Sequence, residues 1–213
     1  MKITIYCLKG SAGKTPIAVN IALEHGYALG TNEPYNILDM VIPEERLLSI
    51  EPQEEFPELP DDIDIVFDLA GMLSREAHKS IVTAVGQSDV VLVPVYNEMK
   101  CINAAISTIK ELQPLTDKIV VVATKLQRGR HETFKSWTES SDFKNIQAVV
   151  HEYTSDKIPV LPLKFSKVFD TIFEKEKSIG QLRSESALFN YTYREVGDQF
   201  DSLFDYLKAN YAT

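Results

Sequence analysis

Cysteine is almost absent from this chain. Cys7 and Cys101 stand far apart and outside any C-x-x-C or Cys/His spacing, which excludes a disulfide framework and a thiolate metal site. Both are expected to be buried thiols. No apolar run approaches the roughly 18 residues a membrane-spanning helix needs, and no basic start leads into an apolar stretch as a secretory leader would. The expected location is therefore cytoplasmic. Positive charge is also scarce: 22 Lys and Arg face 31 Asp and Glu, for a net charge of −9. The deficit is local. Residues 42–68 hold ten acids (Glu44, Glu45, Glu51, Glu54, Glu55, Glu58, Asp61, Asp62, Asp64 and Asp68) against the single base Arg46, so the rest of the chain is balanced and leaves room for a basic patch. The acidic stretch reads as a solvated surface connection. At 213 residues and 44% hydrophobic content, the chain suits one sizeable core, and a single domain over residues 1–213 is expected.

Short apolar runs recur at Ile3–Leu8, Ile63–Leu69, Val90–Val95, Ile119–Ala123 and Ile146–Val150, which read as strands. Between and after them, amphipathic stretches predict helices over Lys14–His25, Leu73–Gln87, Met99–Leu112, Glu132–Glu139, Ser166–Lys175 and Ser184–Asn210. Alternation of this kind predicts an α/β fold, a mostly parallel, doubly wound, twisted sheet with helices on both faces. The unbroken hydrophobicity of VVLVPV and IVVVA marks central strands.

The first run ends at Leu8 and enters Lys9-Gly10-Ser11-Ala12-Gly13-Lys14-Thr15, with a helical pattern starting at Pro16. Strand, glycine-rich turn, lysine, hydroxyl and helix in that order form a phosphate loop. Small residues let backbone N–H groups converge on an anion, and the following helix adds its dipole. Lys14 would reach the β- and γ-phosphates of a nucleotide, and Thr15 would offer its hydroxyl to Mg²⁺. Pro16 suits the first helical turn, where its missing N–H costs little.

The ordinary Walker A pattern needs glycine where Leu8 stands. The loop instead resembles the deviant form, KGGxGK followed by serine or threonine, of the ParA/MinD family of ATPases, with Ser11 in place of the second glycine; the resemblance extends over most of the chain. It implies a P-loop fold, ATP and Mg²⁺ as cofactors, and a dimer closed by nucleotide in which Lys9 reaches the other subunit's phosphates. It also aligns Thr31-Asn32-Glu33-Pro34 with the family's D-x-D-P segment. Glu33 would then orient the attacking water, and Thr31 replaces the preceding aspartate. Asp68, at the end of Ile65-Val66-Phe67, takes the Walker B position and would hold Mg²⁺ through water, and Gly71 would offer an N–H to the γ-phosphate.

The expected nucleotide site thus comprises Lys9, Gly10, Ser11, Ala12, Gly13, Lys14, Thr15 and Pro16, with Thr124 and Pro162 near the base. Thr124 and Lys125 occupy the place of the family's adenine-side asparagine. The segment Pro159–Leu163 resembles the late strand beside the adenine, and Ser178-Ile179-Gly180 resembles a family loop further on. A guanine-specific N-K-x-D motif is missing from Ala123-Thr124-Lys125-Leu126.

By the same resemblance, the protein is expected to serve plasmid or chromosome partition as an ATPase that binds nonspecific DNA, associates with the nucleoid and answers to a centromere-binding ParB-like adaptor. DNA contacts are expected from Lys125, Arg128 and Arg130 with His131, and from Lys164 and Lys167 with Lys175, Lys177 and Arg183. The C-terminal helix carries Glu195, Asp198, Asp201 and Asp205, which argues against membrane binding. Strand one begins at the start of the chain, so reading of specific DNA is expected of a partner. Two other classes share the fold: a P-loop transferase of the dethiobiotin synthetase or small-kinase type, and a nucleotide-dependent scaffold that does not hydrolyse.

Overall fold

The computed structural model describes residues 1–34, 37–71 and 78–212. Its elements run β1 (Lys2–Ile5), α1 (Lys14–His25), β2 (Ala28–Thr31), β3 (Leu47–Ser49), β4 (Ile65–Asp68), α2 (His78–Gly86), β5 (Val90–Val95), α3 (Met99–Leu112), β6 (Ile119–Leu126), α4 (Ser141–Tyr153), β7 (Val160–Lys164), α5 (Val168–Lys175), α6 (Ile179–Glu185) and α7 (Ala187–Tyr211). The seven strands form one sheet in the order β3-β2-β4-β1-β5-β6-β7, with every pairing parallel. Helices cover both faces. The α/β sheet expected from the alternating runs is present.

Strand alternation divides the core in two. Ile3, Ile5, Val90, Leu92, Val120 and Val122 turn to the layer made with α1, α5, α6 and α7. Val91, Val93, Val95, Ile119, Val121 and Ala123 turn to the layer made with α2, α3 and α4. Pro94 is tolerated in a central strand because of where its missing donor would point. The Val91 N–H reaches Lys118 beside β6, so the even-numbered groups of β5 face β1, whose paired residues end opposite Leu92.

The chain visits β2 and β3 on one side of β1, returns through β4, and crosses to the other side for β5. That reversal leaves a crevice at the carboxyl ends of β1 and β4, where ligands gather in open α/β sheets. The loop at residues 9–13 and the carboxylate of Asp68 both lie there.

Several expected elements differ. The run Ile146–Val150 is helix, not strand: Phe143, Ile146 and Val150 are the buried positions of α4, and the Ser140 side chain caps it by accepting from the Phe143 N–H. The strand beside β6 is β7, on the Pro159–Leu163 segment that the resemblance reads as a late strand. Residues Glu132–Glu139 hold only one 3₁₀ turn, Trp137–Glu139. The C-terminal helix expected from Ser184 is present as α7 but starts at Ala187, where Ser186 caps it by accepting from the Phe189 N–H, and a short separate helix, α6, precedes it. The helix expected from Leu73 is described from His78 onward, and residues 73–77 lie outside the described residues. Within the acidic stretch, β3 extends the sheet and Phe56 packs edge-on against Phe67, with ring centroids 4.8 Å apart. Cys7 and Cys101 are buried free thiols.

Candidate functional site

The turn between β1 and α1 contains two left-handed residues. Gly13 has φ 100° and caps α1; Ser11 has φ 60°. Glycine adopts such angles freely, whereas serine needs support. The loop hangs from its surroundings at several points. Leu8 N–H donates to Thr108 Oγ1 at 3.0 Å, Thr124 Oγ1 donates to the Ala12 carbonyl at 2.9 Å, and Lys125 Nζ donates to the Ser11 carbonyl at 2.7 Å.

Lys14 begins α1 and is only 7% exposed. Its ammonium group lies 3.4 Å from the carbonyls of Cys7 and Lys9, which are long, weak contacts. Among the described residues no carboxylate comes within ion-pair distance of it. A buried cation whose hydrogen-bond acceptors are two distant carbonyls is a cation positioned for an external anion.

Asp68 ends β4 beside it. The side chain is buried, and burial pushes its carboxyl up to about 6; a hydrogen bond from Thr15 and the charge of Lys14 oppose that rise, while Glu33 adds to it. Its Oδ1 has no hydrogen-bond partner among the described residues. A buried carboxylate oxygen with no donor, next to a threonine hydroxyl, suits a divalent cation or its water shell.

Gly71 follows at a point of close approach. A Cβ there would sit 2.8 Å from the Cys7 carbonyl oxygen, 3.1 Å from that of Leu8 and 3.2 Å from Lys14 Nζ. Only glycine lets this strand exit lie against the phosphate loop.

Glu33 reaches the same crevice from β2, its N–H donating to Thr31 Oγ1 at 3.1 Å. Between them, Asn32 is fully buried. Its Oδ1 accepts from Ala70 N–H at 2.7 Å, and its Nδ2 donates to Ser80 Oγ at 2.7 Å, which in turn donates to the Pro52 carbonyl. Asn32 therefore ties the Glu33 arm to the residue preceding Gly71 and to α2. Sequence reasoning passed over Asn32 as the variable position between Thr31 and the expected carboxylate of Glu33.

These residues line one pocket of about 620 Å³. Gly10, Ser11, Gly13, Lys14, Thr15, Pro16, Glu33, Asp68 and Gly71 gather its polar groups around the phosphate loop, Leu163, Phe165 and Phe169 add apolar surface beside Ser166 and Asp170, and Thr124 and Lys125 complete the wall. A size of several hundred Å³ with polar groups gathered in this way fits a nucleotide-sized ligand. Ala12 is buried behind the loop. Lys9 does not line the pocket, and only its carbonyl is engaged with Lys14. Pro162 lies on β7 but not on the pocket wall, which there consists of its neighbour Leu163 and of Phe165 and Phe169. Phe169 went unnoticed because an aromatic in an amphipathic helix reads as core, and Phe165 because it falls in the short connection between β7 and α5.

The expected basic patches are largely engaged within the molecule. Lys125 holds the loop, the Arg128 guanidinium lies 4.3 Å from the Phe134 ring centroid, and Lys164 pairs with Glu195, which also accepts from Trp137 Nε1 at 2.8 Å. Lys177 pairs with Glu185, and Arg183 with Asp198 and Asp201. Arg130 and Lys167 are exposed. Ser178-Ile179-Gly180 docks on α1, where Asn20 Oδ1 and Glu24 Oε2 accept from the Ile179 and Gly180 N–H groups. Among the described residues no helix is long and apolar enough to cross a membrane.

Neither a protein-family model nor a curated protein matches the chain. Solved structures do. An ATP complex of a McdA variant from Cyanothece superposes with a TM-score of 0.62 at 14% identity, over 97% of this chain and 96% of that one. The cell division ATPase MinD of Pyrococcus furiosus gives 0.61 at 13%, over 95% and 99%. A protein of Borrelia burgdorferi assigned to plasmid partition, bound to AMPPNP, gives 0.56 at 16%, over 94% and 98%. The chain has the fold of these ParA- and MinD-type P-loop ATPases.

Proposed function

We propose that the protein is a Mg²⁺-dependent ATPase of ParA type, which binds ATP in the pocket between β1, β4 and β6, dimerises around it and hydrolyses it slowly in DNA partition. The observation that carries this reading is the pairing of a buried, carbonyl-held Lys14 with a partnerless Asp68 oxygen beside the phosphate loop in that pocket. Lys14 would exchange its two weak acceptors for phosphate oxygens, and the backbone N–H groups of the loop would converge on the same charge. Thr15 and Asp68 would hold the cation, Asp68 through water; Mg²⁺ there draws charge from the phosphate oxygens. Glu33 would hold the attacking water in line with the terminal phosphorus, and the partner subunit's Lys9 would meet the charge that develops as the bond to ADP breaks. Phe165 and Phe169 supply apolar surface for the base, and Thr124 a hydroxyl at its edge.

The partition role, nonspecific DNA binding and a ParB-like adaptor rest on the likeness to ParA-type proteins. Exposed Arg130 and Lys167 would supply part of the phosphate contacts, and association with the nucleoid would follow.

Calorimetric titration with ATPγS and Mg²⁺, followed by light scattering, tests this reading. Wild type should bind and dimerise, Lys14→Ala should not bind, and Lys9→Ala should bind yet stay monomeric. Absence of binding by wild type, or transfer of the γ-phosphate to a small metabolite in preference to water, would overturn it.

A further inference from the structure

Three non-glycine residues among those described adopt positive φ: Ser11 at 60°, Lys125 at 53° and Glu176 at 54°. Glu176 simply terminates α5. The other two touch each other, through the 2.7 Å hydrogen bond from Lys125 Nζ to the Ser11 carbonyl. We propose that Lys125 is a positioning residue for the phosphate loop, clamping the Ser11 carbonyl so that serine keeps a conformation that glycine would adopt unaided. The proposal rests on the reading of residues 9–15 as a phosphate loop.

The geometry explains how such a clamp works. In a trans peptide the C=O and N–H point in opposite directions. Lys125 draws the Ser11 carbonyl toward the end of β6, and Thr124 draws the Ala12 carbonyl the same way. The N–H groups of Ala12 and Gly13 must therefore point away from β6. Two successive N–H groups turned one way are what an anion-binding nest requires. Without the clamp, Ser11 relaxes toward the right-handed or extended region, and the first of these groups leaves the nest.

Lys125 carries a backbone penalty of its own for this. The pairing of β6 with β7 shifts register between Ala123 and Leu126, and Lys125 stands in that irregularity. A left-handed lysine persists only where its surroundings hold it. Here the ammonium group also sits 4.8 Å from the Tyr96 ring centroid, and the Tyr96 hydroxyl donates to Glu98 at 2.6 Å. The bulge aims the side chain at the loop instead of along the strand. Serine at position 11 and a strained lysine at position 125 thus act as one device.

Binding of ADP and of ATPγS with Mg²⁺, measured by calorimetry in a double-mutant cycle, tests it. Lys125→Ala should weaken both ligands about tenfold, the scale set by one residue's aversion to the left-handed region. Lys125→Arg should restore most of the loss. In a Ser11→Gly background, Lys125→Ala should cost about twofold or less, because glycine needs no clamp. An equal loss in both backgrounds overturns the proposal, since Lys125 would then act on the ligand directly. A second readout needs no ligand. Amide exchange over residues 9–13 should quicken in Lys125→Ala while exchange over α1 stays unchanged, and unchanged exchange in the loop also overturns the clamp. If wild type binds neither nucleotide, the phosphate-loop reading fails, and the exchange result alone decides the clamp.

Discussion

Replacing Asp68 by asparagine should make the protein more stable when no nucleotide is present. The side chain is 2% exposed, and burial lifts its carboxyl from 3.8 to about 6 despite the Thr15 hydrogen bond and the nearby Lys14 charge. That rise corresponds to about 3 kcal/mol. A carboxyl whose folded pKa lies above its unfolded value binds its proton more tightly in the folded state, so ionisation costs stability. The cost is absent below about pH 4 and fully present above about pH 6. Asparagine has nearly the same shape and does not ionise. Asp68→Asn should therefore gain about 3 kcal/mol at pH 7.5, or roughly 6–12 °C in Tm for a chain of this length. At pH 4.5 the gain should fall to about 1 kcal/mol. Urea unfolding at the two pH values, in EDTA, measures both. Adding ATPγS and Mg²⁺ should then reverse the ranking, because only wild type keeps the carboxylate for the cation. A variant less stable than wild type at pH 7.5 without ligand, or a gain that ignores pH, would refute the reasoning.

Two further substitutions probe the neighbouring loop. Gly71→Ala places a methyl group 2.8 Å from the Cys7 carbonyl oxygen, a backbone atom with little freedom to retreat, and should cost about 1–3 kcal/mol in urea unfolding together with most nucleotide affinity. Asn32→Leu strips the buried Ala70 N–H of its acceptor and should cost about 1–3 kcal/mol, with ATP turnover falling further than ATP binding because the Glu33 arm loses its anchor.

The phosphate loop and α1 were legible because their chemistry is local. Gly13 and Gly26 both take left-handed angles at the helix ends, so the boundaries Lys14–His25 could be read from glycine placement alone. Strands β4 and β5 were legible for a related reason, as short, mostly apolar runs buried on both faces. Ile146–Val150 misled because so short a run, with only Gln147 interrupting its apolar residues, fits either period, and the decisive features, Phe143 three residues earlier and the Ser140 cap, lie outside the run. Strand β3 has three residues, and β2 contains alanine and glycine, so neither carries much propensity of its own; pairing to β4 fixes β2, and pairing to β2 fixes β3. The Asn32 network and the Lys125 clamp join residues 38 and 114 positions apart in the chain. No pattern along the sequence encodes such pairs, because only the strand order brings them together.

The resting place of the Lys14 ammonium has a thermodynamic corollary. A lysine locked to a carboxylate must break that bond before it can greet an incoming anion, and part of the ligand's affinity is consumed in the exchange. Here the two resting acceptors are uncharged and sit at the far limit of hydrogen bonding, so release is nearly free. Capture of a polyphosphate should therefore weaken steeply as salt is added, the signature of charge meeting charge with no ion pair to break first.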